Sequence, residues 1–215
     1  MKTFSKLLED IEMVSGIGKP SRVTMHGMDA EVRETKPRKV GVLGGGEYTI
    51  HQHGGNGSRD FFVVHNKTKK VAAHIAAEHK ANKNMHVNVA VVHPEHTSKK
   101  IGHSLVMGVY KHLHDKGYNV HSDTTQSPGG ASIWHRMMQD KELSPHIHIM
   151  TKGKRGSIPA KGVSTDKIWT THSKYIRKTS KIGLHKSLGS ADKDIRDPEN
   201  LKVMRKHLVL KGKRK

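Results

Sequence analysis

The sequence has no cysteine, few aromatic residues and no long apolar run. Without cysteine, disulfide bonds, thiolate zinc sites and cysteine nucleophiles are excluded, and the compartment is left open. No apolar run approaches the roughly 20 residues that a membrane-spanning helix needs, and no secretory signal is visible, so we expect a chain that is neither membrane-bound nor secreted. Hydrophobic residues make up 33% and aromatic residues 4% of the 215 residues, which predicts one small core with much exposed surface.

Basic residues are abundant and unevenly distributed. The 39 Lys and Arg residues outnumber the 19 Asp and Glu residues, which gives a formal net charge of +20, and mild acidification would add charge on the 19 histidines. Residues 152–215 contain 19 Lys and Arg against 5 Asp and Glu, so +14 of the charge lies there. A field of this sign and size favours polyanions, and nucleic acid above all.

Two interpretations of this basic region are open. One is a solvated surface that keeps the protein soluble, and the other is sequence-independent binding of nucleic acid, in which scattered cations contact phosphates. On the second interpretation, the predicted nucleic-acid contacts are Lys152, Lys154, Arg155, Arg205, Lys206, Lys211, Lys213, Arg214 and Lys215.

Residues 87–138 have the order strand, polar turn, helix, strand and helix, which is typical of a βαβ crossover followed by one more helix. The first strand is the apolar run Val87–Val92, and the second is predicted at residues 118–122. Gly117 closes the first helix, and Ser127-Pro128 opens the second. The apolar faces of the two helices are Ile101, Leu105, Val109 and Leu113 in the first, and Ile133, Trp134, Met137 and Met138 in the second.

The turn at residues 95–100 leads directly into a helix start after a strand, which is a favourable place for an anion. The amides of the first helical turn and the positive end of the helix dipole both point at a ligand bound there. Lys99 and Lys100 add positive charge, and Gly102 lets a ligand come close to the backbone. An ordinary capped helix start on a basic protein is the alternative.

This stretch resembles the core of the GNAT (general N-acetyltransferase) superfamily, in which a strand, a glycine-rich pyrophosphate loop and a long helix bind acyl-coenzyme A. The family's loop is commonly Arg/Gln-x-x-Gly-x-Gly/Ala; Thr97, Lys100 and Gly102 fall at its three marked positions, so only the last glycine is kept. The resemblance implies an α/β (α+β) fold with a mixed central sheet and flanking helices, acetyl-CoA as the cofactor and an amine as the acceptor. The cofactor contacts that it implies are Val91, Val92, Lys99, Lys100, Ile101, Gly102, His103 and Ser104.

The catalytic residues follow less directly from this resemblance. The family often carries a tyrosine on the following helix in an Ala-x-x-Leu-Tyr context, and the register that fits best puts Trp134 at that position. Acetyl transfer to an amine needs a base for the ammonium proton and an acid for the leaving thiolate. His135 and His96 are therefore the candidate catalytic residues, with ordinary surface imidazoles as the alternative.

Further strands are predicted on both sides of this stretch. Residues 60–64 and 71–77 are apolar runs joined by a polar loop, so we expect an antiparallel meander leading into Val87–Val92, and the resemblance covers roughly residues 59–150. Gly44-Gly45-Gly46 predicts a hairpin or, alternatively, a phosphate-binding loop, and the two helices that the family places between its first strands are not found. Short strands are also predicted at residues 23–25, 30–32, 146–150 and 168–171. Three His-x-His pairs lack the carboxylates or cysteines of a metal site, and none is predicted.

Both ends of the chain are predicted to lie outside a domain that spans residues 20–180. Residues 1–14 have an amphipathic pattern and resemble the capsid-targeting peptide of internal head proteins from T-even-like tailed phages, in which cleavage follows a Leu/Ile-x-Glu triplet. Leu7-Leu8-Glu9 matches that triplet and puts the cleavage after Glu9; a small helix that docks on the domain is the alternative. Residues 181–194 are a predicted linker, and Asp197-Pro198-Glu199 predicts the start of a basic C-terminal helix with Leu201, Met204 and Leu208 on one face.

Two functions from different classes are consistent with these patterns. The first is a phage-encoded enzyme that transfers an acetyl group from acetyl-CoA to an amine. The second is a non-enzymatic phage internal head protein that binds DNA non-specifically through its basic surface. The predicted location is accordingly the host cytoplasm or the virion head. A protein associated with RNA or the ribosome shares the charge argument and has no motif of its own.

Overall fold

The computed structural model describes residues 22–55, 57–97, 101–122, 125–126, 128–150, 157–163, 168–171, 202–204 and 207–213. The helices are α1 (Arg22–Thr35), α2 (Pro94–Thr97), α3 (Ile101–Asp115) and α4 (Pro128–Gln139). The strands are β1 (Arg38–Leu43), β2 (Tyr48–Gly54), β3 (Ser58–His65), β4 (Val71–Lys80), β5 (Asn84–Val92), β6 (Asn119–His121), β7 (Thr125–Gln126), β8 (Ile147–Met150), β9 (Ser157–Pro159), β10 (Trp169–Thr171), β11 (Lys202–Met204) and β12 (His207–Leu210). Within these ranges no helix has the length and apolar character that crossing a membrane requires.

Nine of the strands form one mixed sheet, which confirms the predicted α+β class. Their order is β1-β2-β3-β4-β5-β6-β12-β8-β9, and a separate small sheet has the order β10-β11-β7. The β5–β6 pair is parallel, and the other strand pairs in these two sheets are antiparallel. A parallel pair needs a crossover, and α3 provides it between β5 and β6.

The two faces of the sheet are covered by different helices because side chains alternate along each strand. On one face, Phe61, Val63 and Ile75 belong to the main core, to which α3 and α4 contribute Val109 and Trp134. The opposite face has a smaller core around Phe62, where α1 packs. The amide of Val71 in β4 donates a hydrogen bond of 2.6 Å to the Asp29 carboxylate, which fixes α1 to the sheet.

Most of the predicted elements between residues 40 and 150 are confirmed. The meander β3-β4-β5 has the predicted antiparallel pairing, and α3 is closed by Gly117 at a φ of 82°. The glycine hairpin is also confirmed: Gly44–Gly46 form a 3-10 turn between β1 and β2, and φ is 59°, 63° and 100° at the three positions. Glycine reaches these values without the steric penalty of a Cβ atom, which explains the run of three.

Two predictions are wrong. Residues 23–25 and 30–32, predicted as strands, lie in α1, because Met28 and Val32 are four residues apart and pack together on the small core. The predicted C-terminal helix is instead the two strands β11 and β12. Leu208 and Leu210 in β12 are both fully buried in the main core. The side chains that face this core are therefore two residues apart, as in a strand, and not four apart, as in a helix.

Strand β12 occupies the interior of the main sheet although it lies near the end of the sequence. It pairs with β6 through Val209 and Leu210, and with β8 over its full length. The structure therefore places residues 207–210 within the main sheet. The predicted N-terminal peptide, the linker at residues 181–194 and the helix start at Asp197 lie outside the described residues.

Candidate functional site

The parallel strands β5 and β6 separate soon after they meet. Their register joins Asn84 to Asn119, Met85 to Val120 and His86 to His121, and the pairing ends there. Strand β5 continues to Val92, pairing on its other side with β4. Among the described residues, Val87–Val92 has no strand partner on the β6 side. We call this opening the splay groove; its wall is the backbone edge of Val87–Val92.

A β-bulge lies at the point where the groove begins. Ala77 pairs with Val87 and Ala76 with Val89, so Asn88 is an extra residue in β5. Bulges increase the local twist of a strand and are frequent beside active sites. Asn88 is exposed at this position. The bulge turns β5 where its pairing with β6 ends.

The start of α3 lies against the far end of the groove wall. A Cβ atom on Gly102 would lie 2.8 Å from Cγ1 of Val92, so glycine allows the helix to approach the strand closely. Gly102 therefore has a packing role, and its predicted role in admitting a ligand stays a prediction. The side chains of Val91 and Val92 pack against the small and the main core respectively, which leaves their backbone for ligand contact.

The other predicted cofactor contacts are only partly described. Lys99 and Lys100 lie outside the described residues, Ile101 packs on the main core and Ser104 is exposed. His103 is half-buried on α3, and burial, together with the nearby positive charge of Arg136 in α4, lowers its pKa. His103 is therefore a neutral imidazole at pH 7 between the two helices.

The predicted catalytic residue His135 lies on the solvent face of α4. It is exposed, and its Nε2 is 2.8 Å from the Nε2 of Gln139, one turn further along the helix. Trp134, at the position of the family's tyrosine, is 2% exposed and packs against Tyr110 with ring centroids 5.9 Å apart. The N–H of an indole is a hydrogen-bond donor but is far too weak an acid to protonate a leaving thiolate.

His96, the second predicted catalytic residue, belongs to a ring cluster that reaches β2. Its Nδ1 shares a hydrogen bond of 3.3 Å with the Tyr48 hydroxyl, and its ring centroid lies 5.9 Å from that of His65 and 6.0 Å from that of His93. Strand β2 is separated from β5 by β3 and β4. This contact lies on the side of β5 that is opposite to the groove, so the structure does not bring His96 and His135 together.

Sequence reasoning missed a buried acidic pocket on the face that α1 covers. Asp60 in β3 is 5% exposed and accepts a hydrogen bond of 2.9 Å from Nε2 of His74, which is fully buried and stacks on Phe62. The carboxyl group of Glu31 on α1 adjoins this pair, and its Oε2 has no hydrogen-bond partner among the described residues. Burial, followed by the negative charges of Asp60 and Glu34, raises the pKa of Glu31 to about 7.

The register of the sheet relates this acidic pocket to the groove. Asp60 pairs with Ala76, and Ala76 pairs with Val89, which is next to the bulge. With about 4.8 Å between neighbouring strands, the backbone of Asp60 lies roughly 10 Å from that of Val89. Only the methyl group of Ala76 stands between them in this row. No sequence motif connects Glu31 with Asp60, so no pattern in the chain could have predicted the pocket.

The basic and histidine-rich candidates lie elsewhere. Lys211 and Lys213 follow β12 at the end of the sheet opposite to the groove. The remaining predicted nucleic-acid contacts and Glu9 lie outside the described residues; these are Lys152, Lys154, Arg155, Arg205, Lys206, Arg214 and Lys215. In the part of the chain that the structure describes, no three His, Asp or Glu residues are placed to hold a metal ion.

No protein-family model matches the chain, and no curated protein matches its sequence. Among solved structures it is similar to a GNAT-family acetyltransferase from Staphylococcus aureus Mu50, with 10% identity, 74% of this chain and 70% of that chain covered, and a TM-score of 0.36. It is also similar to a nourseothricin acetyltransferase, with 11% identity, 86% of this chain and 94% of that chain covered, and a TM-score of 0.39. The ribosomal-protein-S18-alanine N-acetyltransferase from Escherichia coli is similar as well, with 11% identity, 70% of this chain and 76% of that chain covered, and a TM-score of 0.34. Alignments this distant leave the function to be argued from the chain's own residues.

Proposed function

We propose that this protein transfers an acetyl group from acetyl-CoA to an amine. The observation that carries the proposal is the splay groove, where β5 runs on for six residues after its parallel partner has ended. Backbone N–H and C=O groups inside a sheet are almost always paired. An edge of this kind within a nine-stranded sheet therefore suits a ligand that brings its own amides.

The groove fits acetyl-CoA because the pantetheine arm of that cofactor carries two amide groups. These amides would pair with the backbone of Val87–Val92 in the manner of an added strand. The adjoining start of α3 at Ile101 is suited to the diphosphate, since the first amides of a helix attract anions. Bound acetyl-CoA would supply the acyl thioester.

The acidic pocket supplies what the acceptor amine needs. A gap between strands is accessible from both faces of a sheet, and the α1 face carries Glu31 and Asp60. Negative charge there attracts an ammonium group to a protein whose net charge otherwise repels cations. With a pKa of about 7, Glu31 is matched to accept the ammonium proton near neutral pH, which leaves the amine nitrogen nucleophilic.

Hydrogen–deuterium exchange tests directly whether the Val87–Val92 edge of the splay groove is unpaired and binds acetyl-CoA. Without ligand, the amides of Val87–Val92 that face the groove should exchange quickly, and acetyl-CoA should slow them. Ala73–Ala77 in β4 is the internal control, because it is paired on both sides and its exchange should not change. Isothermal titration completes the test: an absence of heat at millimolar acetyl-CoA, with unaltered exchange at Val87–Val92, refutes the proposal.

A further inference from the structure

A second concave site lies at the opposite end of the β5–β6 pair from the splay groove. It is a cleft of about 560 Å³, and we call it the lysine cleft. It is built from the β4–β5 turn, the C-terminal end of α3 and the segment after β12. Four of its lining residues are lysines: Lys83, Lys116, Lys211 and Lys213.

The positive charge of this cleft is largely uncompensated. Lys213 forms an ion pair of 2.7 Å with Asp115. Among the described residues, Lys83, Lys116 and Lys211 have no acidic partner within ion-pair distance. The described residues that line the cleft include no carboxylate. Three unneutralised cations around one concavity repel one another, and an anion bound between them would relieve that repulsion.

The backbone that carries these lysines is held firmly in place. The amide of Lys213 donates to the carbonyl oxygen of His114 at 2.9 Å, and Nδ1 of His114 is 2.6 Å from the carbonyl oxygen of Lys211. A Cβ atom on Gly212 would lie 2.3 Å from the backbone of Gly117, so this segment crosses the turn after α3 at backbone contact. The lysines thus project from a fixed frame, which lowers the entropic cost of binding.

The floor of the cleft uses its polar groups internally. Asn84 Oδ1 accepts hydrogen bonds of 3.0 Å from Nδ2 of Asn119 and from Nε2 of His121. Asn119 Oδ1 accepts one of 3.1 Å from the amide of Gly212. Groups engaged in this way do not read base edges, so recognition is left to the lysine charges, which contact phosphates whatever the sequence.

We infer that the lysine cleft binds the phosphodiester backbone of a single nucleic-acid strand without sequence preference. Its volume is that of a small-molecule pocket, which admits one strand and not the width of a duplex. The inference is independent of acetyl transfer, because none of the residues that line the cleft belongs to the Val87–Val92 wall of the splay groove or to the acidic pocket.

A matched pair of single substitutions tests the inference. Lys83 and Lys69 are both turn lysines with a φ of 57°, so Lys83→Gly and Lys69→Gly remove the same charge and relieve the same backbone strain. Both variants should melt at a higher temperature than the parent. Binding of a fluorescein-labelled 15-mer of thymidylate at 0.1 M salt should weaken about fivefold for Lys83→Gly, with the slope of log K against log salt smaller by about 0.7, and stay unchanged for Lys69→Gly.

A triple substitution gives a larger signal. Lys83→Gln, Lys116→Gln and Lys211→Gln combined should reduce the salt slope by about 2, and the equivalent Arg replacements should preserve binding. The control combines Lys67→Gln, Lys69→Gln and Lys70→Gln in the β3–β4 turn. Equal losses in the two Gln variants, or no loss in either, would overturn the inference, since binding would then come from diffuse charge or from other residues. Acetyl-CoA titration of the cleft variant should match the parent, which separates this test from that of the splay groove.

Discussion

At the scale of single residues, Glu31 combines a structural cost with a proposed chemical role. Its carboxyl group is half-buried beside Asp60, so the charged form is disfavoured and the pKa rises from 4.5 to about 7. The folded protein therefore holds this proton more tightly than the unfolded chain does. Stability contributed by the protonated form is complete below pH 4.5 and is lost as pH rises to 7.

Glu31→Gln should accordingly stabilise the protein at high pH and inactivate it. At pH 8 we expect a gain in the free energy of unfolding of about 1–2 kcal/mol after allowance for partial exposure, with no gain at pH 4, where both side chains are neutral. Thiol release from acetyl-CoA in the presence of primary amines should fall at least a hundredfold, the order of magnitude of lost general-base catalysis.

Glu142→Gln is the control for this experiment, because Glu142 is exposed and its charge is not among those that raise the pKa of Glu31. In urea unfolding at both pH values and in amine-dependent thiol release, this control variant should behave like the parent protein. A Glu31→Gln variant that keeps full activity would remove Glu31 from the chemistry and leave it a purely structural role.

At the scale of elements, β12 completes the main sheet. It lies between β6 and β8 in the strand order. Without it, β8 and β9 would not be part of the same sheet as β1–β6. Its end is fixed to α3 by the hydrogen bonds between His114 and the segment after the strand. Four residues near the end of the chain thus decide whether the sheet has nine strands.

Leu210→Ala should test this role of β12. Leu210 is fully buried, so truncation loses apolar burial and leaves a cavity, with an expected cost of about 2–5 kcal/mol in the free energy of unfolding. Ile158→Ala in the edge strand β9 is the comparison, since Ile158 is 50% exposed and should cost well under 1 kcal/mol. Chemical denaturation followed by circular dichroism measures both, and similar small losses would show that β12 contributes little to the fold.

At the scale of the whole molecule, histidine dominates the response to acid. In the part of the chain that the structure describes, burial lowers the pKa of five histidines, namely His86, His103, His112, His114 and His148. At mildly acidic pH the unfolded chain binds more protons at these histidines than the folded protein does. Their contribution to the free energy of unfolding is therefore fully present above the unfolded pKa of 6.5 and is lost as pH falls below it. Glu31 has the opposite effect over this pH range.

We therefore expect the free energy of unfolding to decline from pH 7 to pH 5, because the five buried histidines and the net charge of +20 both disfavour the folded protein in acid. Urea titrations at half-unit pH steps measure this profile. Repeating them in 0.5 M salt separates the causes: salt screens the general repulsion of a +20 chain but leaves the burial of the five imidazoles unchanged. A flat profile in high salt would show that net charge alone is responsible.

The local sequence pattern was sufficient to predict those elements between residues 40 and 150 whose apolar residues recur with a clear period. Alternation predicted β3 and β4, and the spacing of Ile101, Leu105, Val109 and Leu113 predicted α3. It failed for residues 23–32 and 201–210, where short apolar runs fit either period and the packing partner decides. Met28 is helical because it meets Phe62, and Leu208 is extended because it lies between β6 and β8.

The candidate site divides in the same way. The strand, the helix start and the glycine at position 102 could be predicted, because each is local, although the close packing of that glycine on Val92 could not. The acidic pocket could not be predicted, because Glu31, Asp60 and His74 come from three elements that only the folded sheet brings together. The same is true of the lysine cleft, whose lysines lie in three separate segments of the chain.

The sequence by itself determined the class of the fold, the crossover from β5 to β6 and the excess of positive charge, since periodicity, turn residues and charge are properties of neighbouring residues. Only the tertiary structure decided where β5 and β6 separate, which carboxyl groups are buried and which lysines share a cleft. These features depend on strand register and on contacts between distant segments, and register is set by packing across the whole sheet.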